Sequence, residues 1–302
     1  MNLNIFKKKH QKNNIGKFYQ VGKYNLKLKS YHQLDDFQRS FPLYDKFLPL
    51  FCSQFEGLIV DVGANIGDTS IAIFAQNENC YIIGIEPDPE FYEDCLENIN
   101  RNNLSERFFG INKFVTSKTG NYTVKRSENQ MTGSIDFQNQ DHSLESLNTI
   151  TFKSIFELFK ATTAQKFNLL KIDTDGFDWD VINTFCDYAL MEKYIPEYVH
   201  FEMQTFENNK QFLENNRNEI IENYNNSLLN LKNVGYTHFC LFDNYGTHFK
   251  ITNSVDEIFE MNNYIKRSQL HNKHNTIYYF DVLAFSEDKL EYVKNCIQKL
   301  YL

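Results

Sequence analysis

Positive charge is in short supply in this 302-residue chain: 31 Lys and Arg stand against 39 Asp and Glu, a formal net charge of -8. A general nucleic-acid binder needs a basic surface, so that class is set aside. Long apolar runs are missing as well, and no stretch approaches the length of a membrane span. Cys52, Cys80, Cys95, Cys186, Cys240 and Cys296 include no C-x-x-C pair and no zinc-type interval. They read as buried free thiols of a reducing cytosol, and a cytoplasmic location is expected. Lys7, Lys8 and Lys9 are followed by no apolar segment, so no secretory signal is expected at the start. Together with Lys12 and Lys17 they form a local basic patch, read as a frayed terminus or as a weak contact for an anionic membrane or phosphorylated carrier. Internal repeats and convincing linkers are absent too. With 42% hydrophobic residues the chain can build one large α/β domain over residues 51–302, with residues 1–50 as a front extension packed on it.

What is present is organised around Gly57-Leu-Ile-Val-Asp61-Val-Gly63-Ala-Asn65-Ile-Gly67-Asp68. Leu58, Ile59, Val60 and Val62 suit a strand buried on both faces. Gly63 can take the positive φ of a sharp turn, and a helix is expected from Asp68 or Thr69, where short polar side chains cap free N–H groups. About 20 residues on, a second strand over residues 81–85 ends in Glu86-Pro87-Asp88, placing a carboxylate where it can hold both ribose hydroxyls of an adenosine. A dinucleotide normally needs a second glycine so that its pyrophosphate can approach, and here Asn65 holds that place. S-adenosylmethionine lacks the phosphates, and its ammonium and sulfonium suit a site edged by Asp61 and Glu86.

The rest of the chain alternates in the same manner. Residues 17–29 read as a hairpin, and residues 41–51 as a helix with Pro49 near its end. Helices are expected over residues 89–102, 152–160, 178–188, 211–233, 255–265 and 287–300, and strands over 108–116, 167–172, 197–201, 236–243 and 277–285. A hairpin candidate covers residues 121–126, and the polar stretch 127–148 reads as a long loop. Such alternation implies right-handed crossovers and a parallel sheet.

Three blocks now carry a resemblance: Ile59 to Asp68, Gly84-Ile-Glu86-Pro87, and Leu170-Lys171-Ile-Asp173-Thr-Asp175-Gly176-Phe-Asp178. With His200-Phe-Glu202 and Phe239-Cys-Leu-Phe-Asp243-Asn they resemble the FkbM-type methyltransferases over roughly residues 40–290. The resemblance implies a Rossmann-like class I methyltransferase sheet of seven strands, the seventh antiparallel, with helices on both faces and the front hairpin and helix added. It also implies S-adenosylmethionine as donor and methyl transfer to a hydroxyl of a saccharide, glycoconjugate precursor or other small molecule. Where relatives carry Ser-Asp near the adenine, this chain has Thr116-Ser117.

The expected cofactor contacts are Asp61, Gly63, Asn65, Gly67, Asp68, Thr69, Glu86, Pro87 and Ser117, and the expected catalytic carboxylates are Asp173, Asp175 and Glu202. A divalent metal on Asp173, Asp175 and Glu202 is conceivable but not favoured, because three carboxylates on two turns have no diagnostic spacing. Asp178 reads first as a helix cap and His200 as a core histidine, while His271 and His274 lie in a polar loop. Tyr44 or Phe177 can stack on a sugar ring. The alternatives at this point are N-methylation, a dinucleotide-binding oxidoreductase and a non-catalytic binding module. Oligomeric state has no signature in the sequence.

Overall fold

Alternation of polar and apolar residues sends Leu26 and Leu28 inward and Asn25 and Lys27 outward, and the front segment folds as the expected hairpin of β1 (Lys17–Val21) and β2 (Tyr24–Leu28). A computed structural model describes residues 16–30, 32–116, 121–126, 133–138, 149–159, 166–192, 194–204, 210–271 and 277–302. The basic tail up to Lys12 lies outside the described residues, and Lys17 belongs to the fold, paired with Asp35 at 2.5 Å.

Of the helix expected over residues 41–51 only the last part forms, as α2 (Phe47–Phe51), and an unexpected short helix, α1 (Leu34–Ser40), precedes it. Asp45 takes a left-handed φ of +57° and breaks the path between them. Pro49 falls in the first turn of α2, where its missing N–H has no intrahelical partner to lose.

Strands and helices then alternate through β3 (Leu58–Val62), α3 (Asp68–Gln76), β4 (Tyr81–Ile85), α4 (Pro89–Arg101) and β5 (Phe108–Ile111). The third expected strand divides. Its second part, β6 (Phe114–Val115), leaves the main sheet and pairs with β9 (Thr149–Ile150). Part of the expected long loop is also a strand: β8 (Gly133–Gln138) pairs antiparallel with β7 (Asn121–Arg126). Ser134, Ile135, Asp136 and Phe137 alternate with period two, a signal hidden by the polar stretches around them.

The second half comprises α5 (Phe152–Phe159), β10 (Phe167–Ile172), α6 (Asp178–Met191), β11 (Tyr198–Met203), α7 (Lys210–Asn233), β12 (His238–Asp243), β13 (His248–Thr252), α8 (Val255–His271), β14 (Phe280–Phe285) and α9 (Leu290–Leu300). The main sheet has the order β13-β12-β14-β11-β10-β3-β4-β5. β14 runs antiparallel to both β11 and β12, as expected for the last strand. The seven expected strands gain β13 as an eighth at the edge. A tight turn makes it possible: Asp243 Oδ1 accepts from the N–H groups of Tyr245 (3.0 Å) and Thr247 (2.9 Å), and Gly246 takes φ +83°.

Both faces of the sheet are covered. Val60, Leu170 and Phe201 pack against Ile155, Val181, Tyr224 and Ile258 from α5 to α8. On the other face Ile59 and Leu169 meet Ile71, Phe74 and Ile99, and Leu26, Leu28 and Phe51 of the front segment belong to that same core. All six cysteines are buried and free.

Candidate active site

A crevice forms where β3 and β10 lie side by side, because the chain leaves β3 toward β4 and leaves β10 toward β11, in opposite directions. Gly63 stands at its floor with φ +80°. A Cβ there would come within 1.7 Å of the Asp173 carbonyl oxygen, so the loop and the end of β10 meet as only glycine allows. Asn65 (φ +47°) and Gly67 (φ +82°) complete the turn, and the N–H groups of Gly63 and Ala64 both donate to the Ile85 carbonyl, at 2.8 and 3.1 Å. Gly67 faces away from the crevice, and a Cβ on it would meet Cys95 Sγ at 2.9 Å. Its part is to let α3 approach α4. Asp68 opens α3 without any side-chain cap, in contrast to the capping expected there.

The cleft has a volume of about 540 Å³. Of the expected site residues, Gly63, Asn65, Asp68, Thr69, Glu86, Pro87, Asp173, Asp175 and Glu202 line it. Asp61 and Gly67 do not, and Ser117 lies outside the described residues. Tyr44 lines the cleft as well, whereas Phe177 stacks with Trp179 instead.

Glu86 is positioned by its own loop. Its Oε2 accepts from Asn65 N–H at 2.9 Å and its Oε1 from Asp88 N–H at 2.8 Å, and Asp88 in turn caps α4. Burial pushes the Glu86 carboxyl up to about 7, against the lowering effect of those two backbone bonds.

Lys171, absent from the expected site, proves central to it. The residue is 4% exposed, and its ammonium lies 2.9 Å from Asp61 Oδ1 and 3.2 Å from Asp173 Oδ2 and donates to the Gly63 carbonyl at 3.1 Å. Burial alone would lower the lysine, but Asp173 and Asp61 hold it well above its ordinary value. Asp61, expected at the cofactor edge, is 1% exposed behind the loop and also accepts from Ser70 Oγ at 2.8 Å. It acts on the site through Lys171. The sequence signal was a lysine in the middle of an apolar buried strand, which nothing but a partnered charge explains.

Asp178 does not cap α6, whose first position beyond Phe177 it occupies. Its Oδ2 accepts from the Thr174 N–H (2.9 Å) and hydroxyl (2.6 Å), and its Oδ1 accepts from Glu202 N–H at 2.9 Å. The fully buried carboxylate thus pins the β10 turn to β11, and burial pushes it up to about 6. Asp175 is held in that turn at φ +52°.

On β11, His200 and Glu202 share one face, and both line the cleft. His200 is buried, as a core histidine would be, yet it sits in register beside Lys171; burial pushes its imidazole down to about 3, so it is neutral. Asp281 on β14, also unforeseen, lines the cleft directly across from Glu202. Burial pushes both of these carboxyls well above their ordinary range. Asp45, at the break between α1 and α2, is raised to about 7 by burial and lines the same cleft. Asp281 and Asp45 could be found only by knowing what folds over the crevice.

Residues 61–237 match the family model described as Methyltransferase FkbM domain, which covers more than half of the chain. The chain belongs to the FkbM methyltransferase family. No curated protein matches the sequence. Among solved structures, the chain is similar to an O-methyltransferase from Bacillus cereus in complex with S-adenosylhomocysteine, at 11% identity over 80% of each chain and a TM-score of 0.42. It is also similar to the plantazolicin methyltransferase BpumL in complex with S-adenosylhomocysteine, at 9% identity over 84% of this chain and 88% of that one, TM-score 0.40. A third is the precorrin-6y C5,15-methyltransferase from Geobacter metallireducens, at 9% identity over 80% and 85%, TM-score 0.38.

This FkbM methyltransferase uses S-adenosylmethionine as its methyl donor. The cleft fits that cofactor: Glu86 ends β4 beside the glycine loop, as ribose binding requires, and Asp45, Asp68 and Asp173 offer negative charge to the ammonium and sulfonium. Lys171, already between two carboxylates, has no charge left for a pyrophosphate. Membership of a methyltransferase family sets aside the dinucleotide oxidoreductase and the non-catalytic module. Among the described residues, no group of three His, Cys, Asp or Glu side chains is placed to hold a metal ion, and no helix is long and apolar enough to cross a membrane.

Proposed function

We propose that this methyltransferase acts on a hydroxyl group of a saccharide or glycoconjugate precursor. One observation carries the reading, namely the make-up of the cleft beyond the cofactor loop. Tyr44, Tyr245, Tyr278 and Tyr279 line it, with Phe41 stacked on Tyr245 at 4.1 Å between ring centroids. In the same cleft, His200 Nδ1 and Gln204 Oε1 are buried acceptors without a partner among the described residues. Flat ring faces suit the C–H face of a sugar, and unpaired acceptors suit its hydroxyl donors.

A sulfonium methyl is already activated, so the protein has mainly to align it with the acceptor oxygen and to receive a proton. Alignment is worth about 7 to 11 kcal/mol in well-oriented systems, and a general base adds about 10²- to 10⁴-fold. Asp173, Asp175 and Glu202 stand at the reacting end in this proposal, with Glu86, Asn65, Asp68, Thr69 and Pro87 on the cofactor side. A cytoplasmic setting belongs to the same proposal and is supported by the six free thiols.

The test is intact-mass detection of methylated product after incubation with S-adenosylmethionine and a panel of nucleotide sugars, glycan precursors and matched amino compounds. A saccharide that gains one methyl group on oxygen supports the proposal. Methylation confined to amines would replace it with N-methylation, and activity that requires an added divalent cation would bring a metal back to Asp173, Asp175 and Glu202.

A further inference from the structure

Directly opposed residues of an antiparallel pair lie on one face with their Cβ atoms about 4.5 to 5.5 Å apart, and like charges in that position destabilise the sheet. Glu202 of β11 and Asp281 of β14 are such a pair, and both line the cleft. Two carboxyls opposed in this way in a half-buried cleft relieve the repulsion by keeping a proton between them. A second observation marks the place as a ligand site. His200, two residues before Glu202 on the same face, is 8% exposed, lines the cleft, and leaves Nδ1 without a partner among the described residues.

We propose that Glu202 and Asp281 work as one proton-sharing pair that receives the proton of the acceptor hydroxyl during methyl transfer. The acceptor oxygen forms the new bond to the methyl carbon while the bond from that carbon to sulfur breaks, and the bonding electrons stay on the sulfur of S-adenosylhomocysteine. The hydroxyl proton passes to the ionised member of the pair. The pair begins with one proton and ends with two, so charge and atoms balance, and release of that proton to solvent resets the site.

The surroundings explain how the pair is made ready. Burial raises both carboxyls well above their ordinary range, and Asp173, just after β10, raises each further; Asp45, Asp178 and Asp243 add to the effect on Asp281, and Asp175 and Asp178 to that on Glu202. Tyr44 and Tyr279 face the same carboxylates and are themselves raised, while His200 is neutral. Lys171, which lines the same cleft, is committed to Asp61 and Asp173. A sulfonium brought into this field favours the ionised form of a neighbouring carboxyl, so arrival of the methyl donor itself converts the pair into a base.

The inference rests on the reading that the acceptor is an alcohol, but its test needs no acceptor. Calorimetric binding of S-adenosylmethionine and of S-adenosylhomocysteine, in phosphate and in Tris at neutral and mildly alkaline pH, gives the protons released with each ligand. The sulfonium ligand is expected to release more, by on the order of half a proton per site. That excess should vanish in Asp281→Asn and equally in Glu202→Gln, and the double variant should show no larger effect than either single one. A merely structural role would weaken both ligands alike and leave the excess unchanged. Should Asp281→Asn fail to fold, Glu202→Gln and Asp281→Ser carry the same comparison. No excess in the wild type, or an excess retained in any folded single variant, overturns the proposal. If the excess behaves as stated and the acceptor proves to be an amine, the proton-sharing pair stands and the alcohol reading falls.

Discussion

Lys171→Met tests how the site is held together. The substitution keeps an unbranched side chain of similar length and removes the ammonium that lies 2.9 Å from Asp61 and 3.2 Å from Asp173. Asp173 can turn to water, since its side chain is 39% exposed, but Asp61 at 1% cannot. What remains is a buried carboxylate with the Ser70 hydroxyl at 2.8 Å, and breaking a buried pair in this manner costs about 3 to 5 kcal/mol. The Gly63 carbonyl loses its donor at the same time. Removing both charges in Lys171→Met/Asp61→Asn should recover about half of the loss or more, because a neutral replacement of an ion pair avoids the uncompensated charge. Urea unfolding of the wild type, both single variants and the double variant, monitored by circular dichroism, measures the cycle. A single Lys171→Met variant within about 1 kcal/mol of the wild type would refute the reasoning.

Glu86→Ala should weaken S-adenosylhomocysteine by roughly 10- to 150-fold, the worth of charge-assisted ribose hydrogen bonds at about 1.5 to 3 kcal/mol; unchanged calorimetric affinity in the folded variant would remove Glu86 from the cofactor site. Gly63→Ala should abolish cofactor binding and lower the melting temperature, since a Cβ would stand 1.7 Å from the Asp173 carbonyl at φ +80°; a folded variant that binds S-adenosylhomocysteine normally would contradict the close approach. The ligand-free protein should lose stability as pH rises from about 6.5 through about 7. In that window Glu86 and Asp45, both raised to about 7, still bind protons in the native state that the unfolded chain has already released. Glu202 and Asp281 extend the trend upward, while His200, lowered to about 3, opposes it only as long as the unfolded imidazole still binds a proton that the native one lacks, an effect that fades as pH rises above the ordinary histidine value. A melting temperature that climbs across this range would show the carboxyls to be ionised already.

Local chemistry made the cofactor half of the site legible. An apolar β-branched run can only be a buried strand, a glycine must serve where backbones touch, and a carboxylate ending the next strand has one obvious use, so Gly63 and Glu86 could be placed from the chain alone. The alternation of strands and helices likewise implied right-handed crossovers and a parallel sheet. Other features depended on neighbours remote in sequence. Asp243-Asn-Tyr-Gly246 became a turn that folds β13 onto the sheet edge, and β6 left the sheet because β9 offered it a partner. Asp61 looked like a cofactor ligand until Lys171, 110 positions away, was seen to occupy it. Asp178 looked like a cap until the Glu202 N–H, in a different strand, was seen to need an acceptor. Asp281 gained its proposed role only when β14 entered antiparallel beside β11 and set it opposite Glu202. Periodicity and turn chemistry act over a few residues and are written into the sequence; the meaning of a buried charge depends on which other charge the fold brings within a few ångströms, and that is settled by the tertiary structure.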